Sequence, residues 1–379
     1  MAMTTIALAF WCFIFLYPFI GYPLLLRFLL WCRRKEQKNV WSQEAPSVAL
    51  VICAYNERKI IEEKLKNSIA LDYAKDRLRI IVISDGSTDG TAEVVRAFAD
   101  SGIELIEQPA RRGKVRNLND ILPTIREDII VLSDANVMYR FDAVTRLVKR
   151  FGDPFVGCVS GKIVLTGSAE ALDQSTSQYY ALEWYLQHAA SMLYSMPGAD
   201  GAMYAIRSSL FKRCECDTLI EDFVIPMSII RQGRRVVLEP EALGWERGST
   251  SLREEFRRKV RIAAGAAQVL LRGYGWPKSA PVVFWFVFVS HKLLRWLSPL
   301  LGLLILTIAF AFPRLAASQL VIAIFVVAIL LALTRLCTKL EHPLVNGFFY
   351  FMFGQVAIAY GLFKGILGLQ TVLWMKADR

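Results

Sequence analysis

The sequence predicts an α/β domain held to a membrane by flanking helices. Its 379 residues are 54% hydrophobic and only 21% charged, with mean hydropathy +0.36. A soluble domain of this length ordinarily carries more charge. Uncharged runs of spanning length lie at both ends, and between them short apolar runs alternate with helical stretches. These observations divide the chain into four parts: an N-terminal transmembrane anchor over 1–32, an α/β domain over 45–250, amphipathic or interfacial helices over 251–291, and a C-terminal transmembrane region over 292–379.

The first element is apolar. No charged residue occurs from Met1 through Leu26, and Arg27 and the Arg33-Arg34-Lys35 cluster follow. About 20 apolar residues cross a bilayer core. A secretory signal peptide would carry its positive charge before the apolar run and a small-residue cleavage site after it. Here the charge comes after, so the segment reads as an anchor. Three further uncharged runs lie between Arg295 and Arg314, between Arg314 and Arg335, and between His342 and Lys364. The shorter aromatic stretch Val282–Ser290, flanked by Lys278 and Lys292, reads as an interfacial helix.

Arg33, Arg34 and Lys35 follow the first span, Lys292 and Arg295 precede the second, and Arg335 and Lys339 separate the third from the fourth. The positive-inside rule places the α/β domain in the cytoplasm and Met1 outside, in a multi-pass protein of the cell membrane. Four spans put the C-terminus outside, against which Lys376 and Arg379 weigh. The net charge of +11 gathers beside the spans and in one helix, a distribution that fits lipid headgroups and an anionic substrate better than nucleic acid. Seven cysteines form no CxxC pair, and Cys214-Glu-Cys216 lacks the partner pair a zinc site needs.

In the central domain, Ser47–Ala54 reads as a strand buried on both faces. Tyr55-Asn56-Glu57 and an amphipathic helix to about Ala70 follow. Arg79–Ile83 is a second strand ending in Ser84-Asp85-Gly86-Ser87; Thr88 or Asp89 caps a helix to Phe98. Ile103–Ile106 and Ile129–Leu132 are further strands, the last ending in Ser133-Asp134-Ala135-Asn136. Such alternation implies a mostly parallel sheet with ligands at the carboxyl ends of its strands, where Asp85 and Asp134 both fall. No G-x-G-x-x-G follows the first strand and no G-x-x-x-x-G-K-[ST] loop occurs, which argues against a dinucleotide oxidoreductase and a P-loop nucleotidase. Lys114, in Arg111-Arg112-Gly113-Lys114, opens a helix whose amino terminus favours a phosphate or a carbonyl.

The ordered set Ala54-Tyr-Asn-Glu57, Asp85-Gly-Ser-Thr-Asp89, Gly113-Lys114, Asp134-Ala-Asn136, Asp200-Gly-Ala-Met-Tyr204 and Glu221-Asp222 resembles glycosyltransferase family 2 with its GT-A fold. The membrane frame resembles the branch of chitooligosaccharide, hyaluronan, poly-N-acetylglucosamine and cellulose synthases. The resemblance implies an inverting, metal-dependent transferase. Its donor is a nucleotide-diphosphate sugar, often UDP-linked, and its product a growing cell-surface polysaccharide; the alternative is transfer of a single sugar to a lipid such as a polyprenyl phosphate or a glycolipid.

Residue by residue, the resemblance assigns Ala54, Tyr55, Asn56, Glu57, Asp85 and Lys114 to the nucleotide sugar. It assigns Asp134 and Asn136 to Mg²⁺ or Mn²⁺, which accept oxygen ligands, with Asp134 also facing the diphosphate. Asp222, with Glu221 beside it, is the implied base; read from the residues alone, Asp222 is first a helix cap before Phe223-Val-Ile-Pro, and its place in the motif set reverses that. Asp200, Gly201 and Met203 fall where the family lines its acceptor channel. The Q-x-x-R-W motif of processive members is here Arg258-Lys-Val-Arg261-Ile262, which keeps one arginine and loses the tryptophan. Arg258 and Arg261 then face the diphosphate or a lipid phosphate; alternatively Arg253, Arg257 and Arg261, four apart on one helix face, form a membrane-surface stripe. A transporter would carry more spans and more mid-membrane polar residues. A sugar-nucleotide sensor would not need Asp222.

Overall fold

The computed structural model describes residues 2–32, 45–166, 170–248, 251–338 and 342–373. Arg33, Arg34, Lys35, Lys339, Lys376 and Arg379, which carry part of the topology reading, lie outside the described residues. Eight strands form one sheet: β1 (Val48–Ala54), β2 (Leu78–Asp85), β3 (Ile103–Gln108), β4 (Ile129–Asp134), β5 (Val137–Tyr139), β6 (Val156–Thr166), β7 (Met203–Arg207) and β8 (Arg235–Arg247), in the order β3-β2-β1-β4-β7-β6-β8-β5. The helices are α1 (Ala2–Leu16), α2 (Tyr22–Cys32), α3 (Arg58–Ile69), α4 (Thr91–Arg96), α5 (Lys114–Ile121), α6 (Ala143–Lys149), α7 (Glu170–Leu193), α8 (Glu221–Arg231) and α9 (Leu252–Leu271), followed by α10 (Val282–Phe288), α11 (Leu294–Ala311), α12 (Ala316–Thr338) and α13 (Pro343–Ile366).

The expected parallel sheet holds for β3, β2, β1 and β4; beyond β4 the sheet is mixed, with β7 antiparallel to both β4 and β6. β1 is central in the parallel half and nearly every residue in it is buried, which is why Val-Ala-Leu-Val-Ile reads as a run rather than an alternation. One apolar layer covers each face. The first gathers Leu50, Ile52, Ile61, Leu65 and Val131; the second gathers Val51, Ile83, Leu132, Phe223 and Phe288. The helix expected from a cap at Thr88 or Asp89 is shorter than read. It starts at Thr91 after Gly90 in a left-handed conformation (φ 89°), and the Asp89 carboxylate accepts the Thr91 N–H at 3.1 Å.

Among the described residues, four helices are long and apolar enough to cross a membrane: Ala2–Cys32, Val282–Ala311, Ala316–Thr338 and Pro343–Ile366. One is N-terminal and three are C-terminal, as the sequence predicts. The first is interrupted by a π-helical turn over Tyr17–Gly21. Pro18 and Pro23 each remove one backbone donor there. The second carries a π-helical turn over Val289–Leu293. The aromatic stretch read as a separate interfacial helix is continuous with the span through this turn. Phe284, Val287 and Phe288 are fully buried in the second apolar layer, so the stretch docks on the α/β domain rather than on lipid.

α9 lies along α13 at backbone contact. A Cβ on Gly361 would stand 2.5 Å from Val260 O, and one on Gly365 2.4 Å from Ala264 O. Small residues at this spacing let helices approach closely. Gly365→Val is therefore expected to lower stability by roughly 1–3 kcal/mol through overpacking. Gly354→Ala, at a glycine with nothing within 4 Å, should be neutral or slightly stabilising. Thermal unfolding in detergent checks both, and equal midpoints for the two variants would contradict the close packing.

Candidate active site

Strand register brings the acidic motifs to one edge. Cys53 pairs with Asp134 and Ala54 with Ser84, so β1, β2 and β4 end level and their following loops face the same side. Gly86 is required there. Its φ is 65°, and a Cβ on it would lie 2.4 Å from the Ala110 and Arg111 backbone.

Asp85 is buried and its carboxylate is taken up locally. It accepts the Arg112 N–H at 2.7 Å, the Gly113 N–H at 2.9 Å and the Asn117 side-chain amide at 2.9 Å. Those three bonds fix the turn that starts α5. Asn56, at φ 55°, accepts the Thr88 N–H at 2.8 Å, and its own N–H reaches Ser87 Oγ at 3.1 Å. The Glu57 N–H donates to Thr91 Oγ1 at 2.9 Å. The Arg111 guanidinium lies 3.8 Å over the Tyr55 ring. Ala54 ends β1, buried. The motif Ala54–Glu57 and Asp85 thus build one rigid rim.

Lys114 is the hub. Its Nζ lies 2.8 Å from Asp134 Oδ1, 2.9 Å from Glu221 Oε1 and 3.5 Å from Gly201 O. Burial opposes the ammonium charge, but Asp134 and Glu221 outweigh it and hold its pKa well above the ordinary lysine value. Glu221 experiences the converse: burial works against its charge, yet Lys114 and Arg261 keep its pKa below the usual glutamate value. Asp222, next in sequence, makes no such ion pair among the described residues, and Arg261 and Lys114 offset its burial only in part. Burial, reinforced by the Glu221 charge, pushes it up to about 7. Two adjacent carboxyls thereby take different protonation behaviour. The cap alternative fails, because the N-cap of α8 is Ile220 and no side chain caps it.

A cavity of about 1270 Å³ brings together Lys114, Asp134, Asn136, Asp200, Gly201, Glu221, Asp222, Arg258 and Arg261. Gly201 is close enough to Asp222 that a Cβ on it would meet Asp222 Oδ2 at 2.9 Å. Burial and the Glu246 charge push Asp200 up to about 6, although the Ala202 N–H opposes this. Arg258 Nη1 donates to Tyr180 Oη at 2.7 Å and Arg261 Nη1 to Leu219 O at 2.9 Å. Arg253 and Arg257 border the same cavity but are more exposed than Arg258 and Arg261.

Met203 corrects the sequence reading. It is fully buried, with its side chain against Gly161 and Gly244 inside the sheet, and cannot line an acceptor channel. Ala54, Tyr55, Asn56, Glu57 and Asp85 stand at the adjoining rim and are not part of the cavity lining.

Two oxygen donors for a divalent cation fall together in the wall, Asp134 and Asn136. Asp134 keeps Oδ2 clear of the Lys114 contact. The Asn136 amide nitrogen donates to Glu246 Oε1 at 3.0 Å, which leaves its oxygen as the ligating atom. No group of three His, Cys, Asp or Glu side chains poised for a metal occurs among the described residues. This set fits a cation that keeps water and substrate phosphate oxygens as its remaining ligands.

Sequence reasoning missed Lys64, Glu246, Tyr180 and Glu183. Lys64 is fully buried; its Nζ donates to Val137 O at 2.6 Å and lies 3.9 Å over the Tyr139 ring, supporting the strand that follows Asn136. Its signal was legible: Lys64 shares a helical face with Ile61, Leu65 and Ser68, where an apolar residue is expected. The others had no local signal.

The family model for glycosyl transferase family 2 matches residues 49–214. Poly-β-1,6-N-acetyl-D-glucosamine synthase of Staphylococcus aureus (strain COL) is 26% identical over 247 residues, 64% of this chain and 59% of the synthase. The match thus spans under two thirds of that relative. The probable glycosyltransferase YdaM of Bacillus subtilis (strain 168) is 26% identical over 368 residues, 89% of this chain and 88% of the relative. The solved mannosyltransferase PcManGT of Pyrobaculum calidifontis, in complex with GDP-Man and Mn²⁺, superposes with TM-score 0.74 at 23% identity, covering 97% of this chain and 99% of that one. That likeness shows the fold, a GT-A-like mixed α/β sheet with one N-terminal and three C-terminal long apolar helices. The chain is thus similar to glycosyltransferase family 2 over residues 49–214, the stretch that holds β1 to β4 and the loops that follow them.

Proposed function

We propose that this chain transfers a sugar from a nucleotide-diphosphate sugar to an acceptor hydroxyl in one inverting displacement, with Asp222 as general base. The observation that carries this is the divergence of the two neighbouring carboxyls. Glu221 is held ionised by Lys114, so it positions Lys114 rather than taking a proton. Asp222 titrates near neutrality in the wall of the large cavity, the property a base needs. The Glu221-Asp222 pair lies beyond residues 49–214, so its role rests on this geometry.

Lys114 and the amino terminus of α5 face the diphosphate, with Arg258 and Arg261 on the opposite wall. The rim of Ala54, Tyr55, Asn56, Glu57 and Asp85 receives the nucleoside. In this reading Asp85 acts mainly by holding the α5 turn. Asp134 and Asn136 would hold Mg²⁺ or Mn²⁺, which neutralises charge developing on the leaving diphosphate. Asp200 and Gly201 border the acceptor. A UDP-sugar is the first donor to test and a GDP-sugar the second, since the Pyrobaculum enzyme was solved with GDP-Man.

The synthase relatives favour a growing cell-surface polysaccharide as product, made with the catalytic domain on the cytoplasmic side. Ile262 in place of the family tryptophan favours the second reading, a single sugar added to a lipid. The extension of the cavity between α7, α11 and α13 supports it too.

Asp222→Asn is expected to reduce turnover by about 10²–10⁴-fold while nucleotide-sugar affinity, read by calorimetry, changes little. Turnover within a few-fold of wild type would remove Asp222 from the base role. Because the folded-state pKa lies above the ordinary aspartate value, the proton is retained below about pH 7 and the base is lost there. Turnover should accordingly fall toward one decade per pH unit on the acid side and level above it; a flat profile from pH 5 to 8 would count against the assignment. Lys114→Met leaves Asp134 and Glu221 without their shared cation. It should weaken nucleotide-sugar binding by about tenfold or more, an effect of 1.4 kcal/mol, and raise the Glu221 pKa. Infrared titration of the carboxyls and binding isotherms measure the two effects separately.

A further inference from the structure

The cavity that begins at Asp222 ends at a second polar cluster, formed where the two π-helical turns meet. Glu183 on α7 receives Arg295 Nη1 at 2.6 Å, His291 Nε2 at 3.0 Å and Lys292 Nζ at 3.4 Å. Tyr17 and Ser290 join the turns through a 2.9 Å hydrogen bond, and the Tyr22 ring stacks on His291. π-helical turns inside α-helices often mark functional sites. Phe19, Trp296 and Phe351 line the same cavity beside His291, Lys292 and Arg295.

Depth singles out a headgroup. The helix Val282–Ala311 has 30 residues. At 1.5 Å per residue it is about 45 Å long, against about 30 Å of hydrocarbon. Counted back from Ala311, the roughly 20 residues that cross the core end at Lys292. The π-helical turn over Val289–Leu293 therefore sits where hydrocarbon gives way to lipid headgroups, and the Tyr17–Ser290 bond holds the first turn against it.

Two groups there still have capacity for a ligand. The hydrogen bond of Lys292 among the described residues is the long one to Glu183. His291 is buried, and its Nδ1 has no hydrogen-bond partner among the described residues. With Nε2–H directed to Glu183, a neutral imidazole presents Nδ1 as an acceptor.

We propose that this cluster binds the phosphate-bearing headgroup of a membrane lipid and delivers that lipid as acceptor toward Asp222. Lys292 takes a phosphate oxygen, His291 Nδ1 accepts a headgroup hydroxyl, and Phe19, Trp296 and Phe351 face the chain. Basic pockets between spans at the cytoplasmic boundary have this chemistry. Lipid binding stands on the cluster alone; delivery as acceptor rests on the reading of Asp222 as base.

The test is native mass spectrometry of the full chain in detergent, loaded with equal amounts of dioleoyl phosphatidic acid and dioleoyl phosphatidylcholine. Wild type should retain the phosphatidic acid at least about tenfold better. Lys292→Gln should abolish that preference and Lys292→Arg should keep it, with millimolar inorganic phosphate displacing neither lipid. Equal retention of the two lipids by wild type would overturn the proposal without recourse to any variant. So would an undiminished preference in Lys292→Gln. Displacement of phosphatidic acid by inorganic phosphate would place a soluble anion at the cluster instead and overturn the lipid. Asp222→Asn separates the two readings: it should keep the lipid preference. If that variant still turns over, the functional reading fails and the lipid site stands; if it is inactive while wild type shows no preference, only the lipid site fails.

Discussion

One ammonium group organises the site. Lys114 bridges Asp134 at the end of β4 and Glu221 at the start of α8, and approaches the carbonyl of Gly201. These groups come from three separate chain segments that would otherwise repel each other or drift apart. Breaking a buried pair leaves an uncompensated charge, which is far more destabilising than the pair is stabilising. The Asp85 bonds to the Arg112–Gly113 turn are what aim Lys114 at this point. The order of dependence runs from a strand-end aspartate to a turn, from the turn to a lysine, and from the lysine to the two carboxylates around the cavity.

The membrane frame closes the other side of the same cavity. α9 reaches the active site through Arg258 and Arg261 and at the same time rests on α13 through Gly361 and Gly365. α10 buries Phe284 and Phe288 in the apolar layer that also holds Phe223, the residue after Asp222. Phe223 and Trp296 meet edge to face at 5.2 Å. A displacement of the spans is therefore transmitted to α8 through direct packing, since close-packed interiors carry strain rather than absorb it. Catalytic domain and spans share one core.

What could be read from the sequence was what local chemistry dictates. Buried parallel strands announce themselves as apolar runs, and Asp85 and Asp134 stand out because they end such runs. Lys114 was legible from the glycine before it and the helix after it. The strands beyond β4 were not legible, because β6 and β8 carry partly exposed, irregular patterns and all of them, the short β7 included, pair across long separations. Met203 was misplaced for a related reason: a motif fixes a backbone position, while the pleat decides which face a side chain takes. The Val282–Ser290 stretch has the composition of an interfacial helix, and only its partners show that protein rather than lipid covers it. The Glu183 cluster unites residues 108 to 112 positions apart, which no local pattern encodes.

The two raised carboxyls place opposing demands on the fold. Asp222 and Asp200 both titrate above the ordinary aspartate value, at about 7 and about 6. Between that ordinary value and those pKa values, the folded state binds more protons than the unfolded chain, so stability falls as pH rises through this window and levels above it. At neutral pH the folded protein therefore holds these carboxyls at a cost to its stability. Glu221 runs the other way: its lowered pKa contributes stability above the ordinary glutamate value and loses it in acid. The Lys114–Glu221 pair thus offsets part of the cost of keeping Asp222 poised. Because the pair stands directly beside the carboxyl it offsets, changing either partner shifts the Asp222 proton and the stability together.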